Sequence, residues 1–106
     1  MRSRRSYHPG MLVHIQQGEP FYDIVRHIDK YNVEFKLADV ANSYANTNVE
    51  VLVISALQTN IHMYARMSQN AWALLVLVPG AHPKYAWIIG ENFRASPQIV
   101  CEIQTP

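Results

Sequence analysis

The stretch from Leu37 to Leu57, LADVANSYANTNVEVLVISAL, decides what kind of fold this chain adopts. Leu37, Val40, Ala41, Tyr44 and Ala45 recur on one helical face, and Asp39, Asn42 and Ser43 fall away from it. That spacing predicts a short helix stopping near Asn46. Thr47 and Glu50 then stand three apart, an arrangement in which a hydroxyl and a carboxylate each satisfy a free backbone N–H at a helix start. A third helix can begin there. Against it, Val49, Val51, Val53 and Ile54 are β-branched, and VEVLVISAL also suits a buried strand. Both readings of residues 48–57 stand, with the cap and the preceding turn favouring the helix.

Upstream, Pro20 suits a first helical turn, and Glu19 and Asp23 place negative charge near the positive end of a helix dipole. Phe21, Ile24, Val25, Ile28 and Tyr31 follow at helical spacing, with Asp23, Arg26, His27 and Lys30 off that stripe, so a helix ending near Asn32 is expected. Met11 to Ile15 reads as a brief strand or an extended lead-in. Downstream the period changes to two: Ile61, Met63, Ala65 and Met67 alternate with His62, Tyr64 and Arg66. Ala71 to Val78 is a continuous apolar run of the kind found in a central strand. A loop at residues 79–84 and a strand from Tyr85 to Ile89 complete a hairpin, one helical turn can form over Glu91 to Ala95, and residues 98–103 read as a last strand. The expected fold class is α+β: three short helices followed by a small antiparallel sheet.

Bulk properties narrow the function classes. A chain of 106 residues with 49% apolar and 16% charged residues fits one folded domain with one core. The expected division is a flexible basic tail over residues 1–10 and a single compact domain over residues 11–106. Formal charge is +1, but Arg2, Arg4 and Arg5 supply three of the nine basic residues. The six that remain face eight acidic ones, a body near −2. Any attraction to nucleic acid must therefore come from the tail or a local patch. No segment approaches the apolar length of a membrane helix, and the N-terminus lacks the apolar block of a secretory signal, so no membrane partner and a cytoplasmic location are expected. Cys101 is the single cysteine, which rules out an internal disulfide. With so few charges, part of the apolar surface is expected to close against a second copy or another protein.

The order of three helices and paired strands resembles the winged-helix family. Ala41, Ala45, Val51 and Ile54 match the helix-turn-helix spacing, and IHMYARM with AWALLVLV resembles the wing strands of excisionase-like regulators. The resemblance covers about a fifth of the chain and implies DNA binding through the third helix. Two departures accompany it. Ala45 stands where the family has glycine, and the face that would enter the major groove carries Thr47, Asn48, Val49, Leu52, Val53 and Ala56, of which only Asn48 reads base edges well.

Three functional classes follow. The first is a non-enzymatic binding or adaptor domain that self-associates through an apolar helix or strand face, with Val49, Leu52, Val53, Ala56, Trp72 and Trp87 as interface candidates. The second is a small winged-helix DNA-binding regulator, in which Arg2, Arg4 and Arg5 enter a minor groove while Asn48 and the wing touch the backbone. The third is a small RNA-directed enzyme using His62, Tyr64 and Arg66, which one strand would line up about 7 Å apart. Lys84, with His82 and Tyr85, could add to that edge. The preferred reading is the first, without enzymatic activity. No Gly-rich phosphate loop, HxxxH or CxxC motif is present, so neither metal nor cofactor is expected. Asp23 and His27 read as a surface pair.

Overall fold

The computed structural model describes residues 6–38, 43–63, 67–90 and 99–102, and among them every regular element is a strand. These are β1 (Met11–Ile15), β2 (Tyr22–Asp29), β3 (Asn32–Leu37), β4 (Val49–Met63), β5 (Met67–Val78), β6 (Lys84–Gly90) and β7 (Ile99–Glu102). The three expected helices are therefore corrected, and with them the α+β, winged-helix-like architecture. Residues 20–31 form β2 and its approach, Leu37 ends β3, and the segment after Thr47 is the longest strand of the sheet. The β-branched residues of VEVLVISAL outweighed the cap signal, because cross-strand neighbours on both sides reward a stiff, branched side chain. Residues 39–42 of the second expected helix and the turn at residues 91–95 lie outside the described residues.

The strand order is β3-β2-β6-β5-β4-β1-β7, and β3 also pairs with β4. That extra pairing closes a ring of five strands, β2-β3-β4-β5-β6. It is made possible by the length of β4, whose first residues pair with β1 (Leu12 opposite Leu52) and whose last residues pair in parallel with β3 (Val33 opposite Ile61). On its other edge β4 runs antiparallel to β5 over nearly its whole length. The ring is closed at its thinnest point by one pair, Tyr22 opposite Trp87, between β2 and β6. A register shift between Val53 and Ser55 bends β4 midway, as a bulge does.

Two cores lie on opposite sides of β5 and β6, which is why those strands read as nearly unbroken apolar runs. Leu74, Val76, Ala86 and Ile88 face one core, with Tyr7, Met11, Val13, Ile15, Phe21, Val51 and Val53. Ala71 and Ala73 face the other, inside the ring, with Val33, Phe35 and Ile61, against which Trp87 and Ile89 pack. Burying each large aliphatic side chain of this kind stabilises a fold by roughly 1.5–3 kcal/mol. Of the first ten residues, read as a tail, Tyr7 belongs to the first core and Gly10 N–H donates to the Val53 carbonyl. Residues 1–5 lie outside the described residues. No helix among the described residues is long and apolar enough to cross a membrane.

Tyr7 explains Gly90. A Cβ at that position would lie 2.8 Å from two atoms of the Tyr7 ring and 3.1 Å from Leu74 Cδ1. The ring is buried and packs against Trp72, so Gly90→Ala is expected to destabilise the chain by about 1–3 kcal/mol in chemical denaturation. In a Tyr7→Leu background the same change should cost much less. An equal cost in both backgrounds would show that Tyr7 is not what the glycine accommodates.

Candidate functional site

The strand reading separates residues that a helix would have placed together. Val49 and Val53 face the first core and Val53 is only 1% exposed, whereas Leu52, between them in sequence, emerges on the other side of the sheet. Ala56 and Trp72 also pack against the first core, and the Trp72 ring lies 5.8 Å from that of Tyr7. Trp72 Nε1 is buried without an acceptor. Trp87 lies on the Leu52 side, where its ring packs 5.7 Å from Phe35. Of the six interface candidates, then, Leu52 and Trp87 share one face, and Val49, Val53, Ala56 and Trp72 the opposite one.

The Leu52 face has a feature that single-strand reasoning missed. Cross-strand pairing aligns Leu12, Leu52, Leu77 and Tyr85 in one row across β1, β4, β5 and β6. The next row holds Ser55, Leu75 and Trp87, and beyond it Leu57 pairs with Ala73. Among the described residues, β2 and β3 pack on this side through Tyr22, Ile24, Val33 and Phe35, where the ring closes. Leu12, Leu52, Leu75 and Leu77 belong to neither core, and Leu57 and Tyr85 are 45% and 66% exposed. No charged side chain stands in these rows; the nearest charges on the same side are at the His14–Glu50 pair, two residues along β1 and β4. A signal was present in the sequence: an eight-residue apolar strand needs cover on both faces.

The open edge of β2 is a different kind of surface. Beyond Tyr22 its outer edge has no strand partner among the described residues, and Val25 and Ile28 are exposed. Yet its pairing with β3 shifts register twice, between Ile24 and Arg26 and between His27 and Asp29, and it carries Asp23, Arg26, His27 and Asp29. Bulges and charges of this kind prevent further strand addition. Asp23 and His27 make no ion pair here; Arg26 Nε instead meets Glu34 Oε1 at 2.9 Å.

His62 sits at the far end of β4, opposite Glu34 on β3. Its Nε2 donates to Asn32 Oδ1 at 2.8 Å, and Asn32 Nδ2 donates to Asp29 Oδ1 at 2.8 Å, where the Tyr31 N–H also donates at 2.7 Å. Asn60 and Asn70 continue the amide row across β4 and β5, joined at 3.1 Å. This network locks the β2–β3 turn to β4, helped by the Thr59 hydroxyl and Asn60 N–H, which both donate to the Tyr31 carbonyl. Tyr64 and Arg66, like Arg2, Arg4 and Arg5, lie outside the described residues. Lys84 does not join His62, since it pairs with Val78 at the opposite end of β5 from Ser68, the partner of His62, roughly 30 Å of strand away. Asn48 accepts from the Gln17 N–H at 2.8 Å and so pins the turn after β1.

The Asn32 amide, then the Tyr31 N–H, hold the Asp29 carboxyl below its ordinary value of 3.8, with His62 adding a smaller favourable charge. A carboxyl depressed by folding contributes stability that is present above its unfolded pKa and is lost as pH falls through the folded one. The difference in urea midpoint between wild type and Asp29→Ala is therefore expected at neutral pH and should close progressively below pH 3.8. A difference that persists unchanged in acid would mean that the charge of Asp29 is not what matters.

Comparison with known proteins adds no relative: no protein-family model, no curated protein and no solved structure matches this chain.

Proposed function

We propose that this chain is a non-enzymatic binding domain that self-associates, and that the sheet face bearing Leu12, Leu52, Leu77 and Tyr85 is the surface it uses. The observation that carries the reading is that row itself, four apolar side chains on four adjacent strands belonging to neither core. A pleated apolar face is stabilised when a second sheet packs on it about 10 Å away. A second copy is the occupant because the rows contain no charge, so two identical faces meet about a two-fold axis without like-charge repulsion. The bulged, charged edge of β2 argues against growth of the sheet by strand addition.

The extent of the face sets the strength. Four strands about 4.8 Å apart, over the length from Leu52 to Leu57, give an area of roughly 19 by 14 Å. That is about a third of the roughly 800 Å² per partner of a standard interface, so a weak, reversible dimer is expected. Sedimentation equilibrium across a concentration series should show the mean mass rising from one chain to two. A single-chain mass at the highest concentration would remove the proposal.

A further inference from the structure

The outer face of the ring, opposite the Leu52–Leu77 row, carries a line of amides across three strands. Asn32 on β3 pairs with Asn60 on β4, and Asn60 with Asn70 on β5, so the three side chains stand in register on one face. It is the face to which Trp72 and the first core belong, since Trp72 follows Asn70 by two residues along β5 and pairs with Gln58. Asn70 is exposed, and Asn32 and Asn60 are half-buried.

These amides hold one another in place. Gln58 Nε2 donates to Asn70 Oδ1 at 3.2 Å and Asn70 Nδ2 to Asn60 Oδ1 at 3.1 Å, while Asn32 is fixed between His62 Nε2 and Asp29 Oδ1. The second series fastens the β2–β3 turn to β4. The first has no such role, because β4 and β5 already pair along eleven register positions. Ordering exposed amides costs side-chain entropy and adds little stability in water, but it sets donors and acceptors at defined positions before a ligand arrives. At this level β4 lies between β3 and β5, so its backbone groups are engaged and a ligand meets side chains. Asn60 Nδ2, in the middle of the row, makes no hydrogen bond among the described residues.

An amide presents a donor and an acceptor side by side, and so suits a hydroxyl, which is itself both. Among the described residues the charges beside the row balance: Glu34 is paired with Arg26, and Asp29 and Lys30 adjoin in the β2–β3 turn. A neutral, polyhydroxylated ligand fits that balance better than a polyanion or a polycation. Neighbouring strands stand about 4.8 Å apart, close to the interval at which hexopyranose rings follow one another along an extended β-1,4-linked chain. Such a chain laid across the strands meets one asparagine per sugar. We propose that this face binds a neutral β-1,4-linked oligosaccharide, with successive sugars over Asn32, Asn60 and Asn70. The row lies on the side of β4 and β5 away from Leu52 and Leu77, so this proposal and self-association do not depend on each other.

Cellotriose, chitotriose and mannotriose share the β-1,4 linkage, and their titration into the full chain can be followed by two-dimensional amide NMR, which also records side-chain amides. At least one should shift the side-chain amide signals of Asn32, Asn60 and Asn70 and bind about tenfold more tightly than its monosaccharide. Asn60→Ala should weaken that binding by about fivefold, and unmoved backbone amides in the first core would show that this variant is folded. Absence of shifts at the three asparagines with every trisaccharide overturns the proposal, as does a monosaccharide that binds as well as its trisaccharide. So does undiminished binding by Asn60→Ala. Tighter binding of polyuridylate than of any trisaccharide would overturn it too, in favour of a nucleic-acid surface.

Discussion

Leu77→Asp is expected to leave the chain folded and to hold it as a monomer, while Val76→Asp, one residue earlier on the same strand, unfolds it. The two positions differ only in the side of β5 they occupy. Val76 is fully buried in the first core, so a carboxylate there has neither water nor a partner. Burying an unpaired charge costs roughly 3–5 kcal/mol, a large part of the 5–15 kcal/mol that holds a domain of this size together. At Leu77 a carboxylate reaches water, and the monomer loses on the order of 1 kcal/mol. The dimer loses far more, because each copy would bury that charge against the other's apolar row. Self-association should weaken by about a hundredfold or more, as read by sedimentation. Leu52→Asp should behave like Leu77→Asp, since the two residues are cross-strand neighbours. If Leu77→Asp unfolds the chain as Val76→Asp does, the row is core and not surface; if it folds and still dimerises, another surface carries the assembly.

That pair of outcomes depends on a distinction the sequence obscured for a definite physical reason. Val49, Leu52, Val53 and Ala56 stand at positions i, i+3, i+4 and i+7, the signature of a helical stripe. Three of them, Val49, Val53 and Ala56, do share a side in the folded chain, but through a strand whose register shifts between Val53 and Ser55. The shift changes the phase of the alternation, so a period of two imitates a period of 3.6. The same happens in β2, where two shifts within eight residues spread Ile24, Val25 and Ile28 over a helix-like spacing. There the imitation fails on burial, because Ile24 is half-buried while Val25 and Ile28 are exposed. Strands whose own burial pattern runs uninterrupted were legible: Ala71–Val78 and Tyr85–Ile89 fall within β5 and β6, and Met11–Ile15 is β1, which alternates strictly although its pairing with β7 shifts between Leu12 and Val13.

The candidate sites were less legible than the strands, because each depends on residues far apart in sequence. The open row takes one residue from each of four strands, so no local window contains it. His62 is held by Asn32, thirty residues earlier, through a parallel pairing that a meander of hairpins would not suggest. Glu19 read as a favourable charge at a helix start and instead lies in the lining of a cavity. Asn48, selected for its base-reading amide, accepts from a backbone N–H thirty-one residues away. Some apolar surface lies outside the cores, as at Val25, Ile28 and Leu57.

Phe35→Ala is expected to have the largest effect on stability of any single truncation inside the ring, about 3–5 kcal/mol. Phe35 is 1% exposed, and its ring lies 6.5 Å from Tyr22 and 5.7 Å from Trp87, the two residues that form the β2–β6 closure. Removing it leaves a cavity beneath the one pair that joins those strands. Because β2 has no other neighbour than β3 along most of its length among the described residues, the loss should fall unevenly. Amide exchange in β2 and β3 is expected to accelerate beyond what the drop in global stability explains, while β4 and β5, paired along eleven register positions, keep exchanging only through global unfolding. Leu74→Ala, in the other core, should lower protection of all four strands together. Equal loss of protection across β2, β3, β4 and β5 in Phe35→Ala would show that the hairpin does not open on its own, and that the ring is closed more firmly than one pair of residues accounts for.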